Sequence, residues 1–141
     1  MERATLLYDA DCGFCRWSTS KVLAWDRDRF LRAVPLQSAE ADELLPGMDL
    51  ERKMASWHLV TGGEVYSGGA AVSPLARSLP AGAPIAWLAE LAPHLTDRAY
   101  RFVAARRERI GRALGEQACA VDLDAASPAR VPSRSRRRSR E

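Results

Sequence analysis

The 141-residue chain predicts an α/β fold, with a central mixed β-sheet of about four strands flanked by helices and an extra C-terminal helix. Three observations predict it. A short apolar run, Leu6-Leu7-Tyr8, leads straight into Asp9-Ala10-Asp11-Cys12-Gly13-Phe14-Cys15 and then a helical stretch. A second strand and helix follow at once. Next, two β-rich segments flank Thr61-Gly62-Gly63, a hairpin signal, and further helices come after them.

The elements follow in order. Thr5-Leu6-Leu7-Tyr8 is a short, buried type of strand bounded by the Asp-rich turn. From Arg16 to about Trp25 the chain reads as a helix with Cys15, Val22 and Leu23 near its inner face, and Asp26-Arg27-Asp28-Arg29 ends it. Phe30 to Pro35 reads as the second strand. Ser38 then caps a helix running to Leu45, with acids in its first turn, and Pro46-Gly47 stops it. Met54 to Val60 and Glu64 to Tyr66 form the hairpin arms. Ala70 to Leu79 is helical in composition, with Pro74 either in an early turn or at a kink. Pro80 and Pro84 bracket a turn before the segment Ile85 to Leu91. A last helix is predicted from about Thr96 to Leu114, with Tyr100, Val103, Ala104, Arg107 and Ile110 along one side. The order β-α-β-α-β-β-α, parallel at first and then antiparallel, is the thioredoxin-like arrangement, and the handedness of the crossover favours that topology.

At 15.5 kDa the chain is long enough for one domain with its own core. The predicted division is a domain over residues 1–119 and a disordered Arg/Ser-rich tail over 120–141. Residues 130–141 hold six arginines and one acid, leaving 15 bases and 17 acids in residues 1–129, about −2. The formal charge of +3 therefore belongs to the tail and not to the folded part. The tail lacks aromatic residues to stack on bases, so no specific nucleic-acid partner is expected. No apolar run reaches the roughly 18 residues of a membrane span, and no signal-peptide core precedes the first strand. The expected setting is a reducing cytoplasm, with no membrane partner. There a pair of nearby cysteines is more often catalytic or metal-binding than structural.

Strand, tight turn, C-x-x-C and helix form the arrangement a dithiol needs to cycle between reduced and disulfide states. Cys12 is the candidate nucleophile. Unpaired backbone N–H groups and the helix dipole favour its anion there, and Arg16 adds positive charge one turn along. Asp9 and Asp11 oppose it, which points to a reductant or general exchanger more than a strong oxidant. Cys15 is expected to face inward as the resolving thiol. Asp9 reads first as a turn-former, with proton acceptance from Cys15 as its alternative role. A metal- or cluster-binding module is a competing reading. Zinc, however, asks for further ligands, and Cys119, His58 and His94 are scattered without ligand spacing. A non-catalytic adaptor that docks through its tail is another. Trp17, Trp25, Trp57 and Trp87 read as core or groove-lining residues, Trp17 close enough to the motif to shape a substrate surface, and His58 reads as structural.

Tyr8 to Cys15 closely resembles the signature of the DCC family of putative thiol–disulfide oxidoreductases, D-x-x-C-x-x-C, with Asp9, Cys12 and Cys15 at its three named positions. The resemblance continues through Val34-Pro35-Leu36-Gln37-Ser38, the hairpin Gly63-Glu64-Val65-Tyr66, and the Arg-rich helix Tyr100 to Gly111, covering about residues 4–120. It implies a thioredoxin-like fold and dithiol exchange at Cys12 and Cys15 without a bound cofactor. The implied partners are a disulfide-containing protein or low-molecular-weight thiol substrate and a separate electron donor. Ala10 replaces a common Gly, and Arg106-Arg107 stands where Asn-Arg is expected. Thioredoxins proper also place a proline before the third strand and a buried acid six residues before the first cysteine. Here residues 53–56 contain no proline, and Leu6 stands at the acid's position.

Overall fold

A computed structural model of the chain describes residues 3–114. Cys119, the predicted boundary at residue 119 and the Arg/Ser-rich segment lie outside the described residues. The sheet has four strands, β1 (Ala4–Tyr8), β2 (Leu31–Pro35), β3 (His58–Thr61) and β4 (Glu64–Ser67), in the spatial order β2-β1-β3-β4. β1 runs parallel to β2, with Leu6 opposite Ala33. It runs antiparallel to β3, with Leu6 also opposite Leu59. A parallel neighbour requires a crossover, which α1 (Gly13–Trp25) supplies. This mixed sheet flanked by helices is the thioredoxin-like arrangement predicted.

The alternation of side chains along β1 divides the core into two layers. Ala4 and Leu6 join Leu31, Leu59, Ala71 and Leu79 on one face, with Val22 and Leu23 of α1 packed against them. Leu7 joins Val34, Leu36, Ala41 and Leu45 on the other, beneath α2 (Ala39–Leu44) and α3 (Leu50–Ala55). β1 is buried along its whole length because both faces are covered. Leu6 sits within an apolar layer, at a position where an acid would have no polar surroundings.

Several boundaries differ from those read in the sequence. The first helix begins at Gly13, so Cys15 lies in its first turn. Met54 and Ala55, expected at the start of a strand, end α3 instead. Asp49 caps this helix by accepting the Arg52 N–H at 2.8 Å, and Leu50 to Ala55 are mostly strong helix formers. Six residues are too few for a periodic apolar pattern to stand out. The hairpin itself follows its turn: Gly62 and Gly63 both take positive φ (59° and 79°), which fits a two-residue turn matching the twist of the strands.

After β4 comes a short 3-10 turn (Gly68–Ala71), then α4 (Val72–Arg77), with Pro74 in its first turn, and α5 (Ala83–Leu91). The single helix expected from Thr96 to Leu114 is two: α6 (Pro93–Ala105) and α7 (Arg107–Leu114). The break at Arg106 (φ −108°, ψ 3°) turns the chain so that α7 packs on α1, whereas helical periodicity alone reads straight through it. No described helix is long and apolar enough to cross a membrane.

Candidate functional site

The site starts with the turn after β1. Asp9 Oδ1 accepts the Asp11 N–H at 3.0 Å, and the Asp9 carbonyl accepts the Cys12 N–H at 3.3 Å. Asp9 is thus a turn-former, as the sequence suggested. Gln37, two residues beyond β2, braces the loop from outside. Its amide donates to Asp9 Oδ1 at 2.7 Å and Asp11 Oδ2 at 3.3 Å, and its oxygen accepts the Ala10 N–H at 3.2 Å. The sequence marked Gln37 only as part of a resembling segment, because a contact across 28 positions leaves no local signal.

The braced turn delivers Cys12 to the N-cap of α1, with extended backbone (φ −94°, ψ 113°). Its sulfur accepts the backbone N–H of Cys15 at 3.3 Å, the place a Ser or Asp oxygen takes at an ordinary N-cap. An orphan donor and the positive end of the helix dipole therefore converge on this sulfur. Both cysteines are partly buried and reduced.

Cys15 lies against the interior. Burial pushes its thiol up to about 12, aided by its side-chain hydrogen bond with Cys12 and the charges of Cys12 and Asp9; the Arg107 guanidinium works in the opposite direction. The proton thus stays on Cys15. Arg107 is half-buried at the start of α7, brought to the dithiol by the turn at Arg106. The sequence placed it only along one side of a helix.

Gly111 fixes how closely α7 approaches. A Cβ there would lie 3.2 Å from the Phe14 backbone nitrogen, so only glycine lets α7 sit directly on the first turn of α1 without displacement. Gly69 does the same for α6: its missing Cβ would meet Asp97 Cα at 2.8 Å. Tyr100 of α6 lies over Gly68 and hydrogen-bonds to the Trp57 backbone and the Ser56 side chain. Desolvation raises its phenol above the ordinary value, and Cys15 acts in the same direction. Trp57 lies just before β3.

The other residues singled out from the sequence fall elsewhere. Trp57 packs against the core and faces Cys15 across a pocket, and Trp17 stacks on Phe14 with ring centroids 6.3 Å apart, beside the motif. Trp25 (39% exposed) and Trp87 (59%) are surface residues, so the expectation that all four tryptophans lie in the core or a groove is corrected. Each terminates or occupies a helix whose buried side is filled by smaller residues such as Thr19 and Ala86. His58 is buried, with Nδ1 2.6 Å from Ser67 Oγ and Nε2 2.9 Å from the Lys53 carbonyl, which accounts for both ring nitrogens structurally. His94 lies on the surface. Among the described residues, no group of three or more His, Cys, Asp or Glu side chains is placed to hold a metal ion.

A family model for DCC1-like thiol-disulfide oxidoreductases matches residues 6–113, from the first strand to the end of the helix that carries Arg107. The chain belongs to the DCC1-like thiol-disulfide oxidoreductase family. No significant match to a curated protein or to a solved structure was found. The DCC1-like match spans both cysteines, Gln37, Trp57, Tyr100, Arg107 and Gly111, so the whole constellation lies inside the matched region.

Proposed function

We propose that the protein reduces or exchanges disulfides through Cys12 and Cys15, acting as a thiol–disulfide oxidoreductase. The observation that carries this reading is the Cys12 sulfur at the N-cap of α1, accepting the Cys15 N–H at 3.3 Å with a protonated thiol held beside it. In the forward direction the Cys12 thiolate attacks one sulfur of a substrate disulfide. The substrate S–S bond breaks, the departing thiolate takes a proton from water, and Cys12 is left in a mixed disulfide. Cys15 then loses its proton and attacks the Cys12 sulfur, expelling the second substrate thiolate, which is protonated in turn. The substrate gains two electrons and two protons, and the protein ends as the Cys12–Cys15 disulfide. An external dithiol or low-molecular-weight thiol returns it to the reduced state.

Each residue has a task in this scheme. Asp9 and Gln37 hold the turn that presents Cys12. Burial keeps Cys15 protonated until a mixed disulfide forms, and Arg107 favours the anion it must then become. Protein disulfides and low-molecular-weight disulfides are both candidate substrates, and a reducing cytoplasm suits a couple reset by cellular thiols. In a thiol-dependent disulfide reduction assay, Cys12→Ser abolishes turnover and Cys15→Ser accumulates covalent mixed disulfides with substrate. Equal residual activity in the two variants would overturn the assignment of roles.

A further inference from the structure

Cys15 forms part of the wall of a half-open pocket of about 230 Å³, and Cys12 precedes it at the N-cap of the same helix. α1 contributes Phe14 and Val22, α4 contributes Leu75, and α6 contributes Val103 and Ala104, with Trp57 beside them. The lining is overwhelmingly apolar. A cavity of roughly 150 Å³ lined by aliphatic and aromatic side chains already accepts benzene, so this one accommodates a ring or short branched chain with substituents. One charged side chain, Arg107, joins the lining, and no carboxylate among the described residues pairs with it. The guanidinium acts on both Cys15 and Tyr100, which places a cation close to the Cys15 sulfur.

We infer that this pocket selects low-molecular-weight disulfides bearing an apolar arm with a carboxylate, the arm lying among Phe14, Val22, Leu75 and Val103 and the carboxylate meeting Arg107. The inference rests on the dithiol reading above and names its substrate class. Apolar walls beside a single cation fit an aromatic or branched aliphatic acid far better than a hydrated, neutral arm or a long flexible peptide. Chemistry follows the steps already given: the bound R–S–S–R takes two electrons and two protons and leaves as two R–SH, and the protein is left as the Cys12–Cys15 disulfide.

Two experiments test it. Reduced protein, freed of reductant, is mixed in a single turnover with 5,5′-dithiobis(2-nitrobenzoate), an aromatic acid disulfide, or with bis(2-hydroxyethyl) disulfide, which is small and neutral. Filling the pocket with Ala104→Phe or, from α1, Ser18→Leu is expected to lower the ratio of the two rate constants, aromatic to neutral, by about tenfold or more. An unchanged ratio in both variants overturns the pocket as a selector, while the dithiol reading stands. Failure of the wild type to consume either disulfide faster than free cysteine overturns the dithiol reading and this inference with it. In the second experiment the Cys12→Ser protein is titrated with 4-phenylbutyrate and 4-phenyl-1-butanol by NMR. Arg107→Gln is expected to weaken the acid by about tenfold more than the alcohol, as loss of a charged contact does. Absence of binding by either probe, or equal loss for both, overturns the inference without touching catalysis.

Discussion

Cys15 differs from a free cysteine because of its surroundings, and these can be altered one at a time. Desolvation holds the thiol at about 12, while Arg107 pulls the other way. Above neutrality an alkylating reagent should therefore modify Cys12 first, with modification of Cys15 rising only as the pH approaches about 12. Removing the positive charge with Arg107→Gln moves Cys15 still higher. Attack on the mixed disulfide then slows by about three- to tenfold, the range expected for one half-buried charge. Rapid quenching with acid and mass analysis of the mixed disulfide checks this. A variant that resolves as fast as the wild type would show that Arg107 does not act on the second step.

Residue-level legibility was uneven. Cys12, Cys15 and Asp9 were readable because they lie within seven consecutive positions and their roles depend on local geometry: an N-cap, its first turn and the turn before it. Gln37, Tyr100 and Arg107 were not readable as site residues. They reach the dithiol or the turn before it through sheet register and helix packing, and nothing in their own neighbourhoods marks them.

Among the elements, α7 is the one that completes the site. It packs on the first turn of α1, and Gly111 sets the distance, with a Cβ at that point falling 3.2 Å from the Phe14 nitrogen. Gly111→Val adds branched bulk at this contact and should lift α7 away, taking Arg107 with it. The predicted outcome is resolution slowed to the level of Arg107→Gln, although the arginine is still present. Wild-type resolution in Gly111→Val would separate the packing of α7 from the chemistry. In the sequence, Thr96 to Leu114 reads as one uninterrupted helix because the apolar spacing hardly changes across Arg106. The break is tertiary in origin, since α7 finds its partner on α1 and not along the axis of α6. The short α3 was missed for the opposite reason: it is defined by the Asp49 cap, and its apolar face is too short to show a period.

At the scale of the molecule, the order of elements and the mixed sheet were legible because each strand left its own signal. Burial of β1 on both faces, the Gly62-Gly63 turn and the crossover through α1 leave few other ways to arrange four strands. One buried group also links the fold to pH. His58 sits on β3 with both ring nitrogens engaged, and burial lowers its pKa below the ordinary 6.5. As pH falls through about 6.5 the unfolded chain takes up this proton while the folded chain does not. Stability is therefore full above that pH and declines below it, until folded His58 also protonates. Urea unfolding from pH 8 to 5 should show this decline, and His58→Gln should flatten it. An equal slope in the variant would assign the pH dependence to other groups.

The proposed function requires that Cys12 and Cys15 form one reversible two-electron couple. It is tested most directly by equilibrating the protein across a series of glutathione redox buffers, blocking free thiols, and weighing the tryptic peptide Ala4–Arg16, which contains both cysteines. A single transition is expected, in which the peptide loses two hydrogens and both thiols disappear together. Separate glutathione adducts on the two cysteines, with no intramolecular disulfide at any buffer ratio, would contradict it.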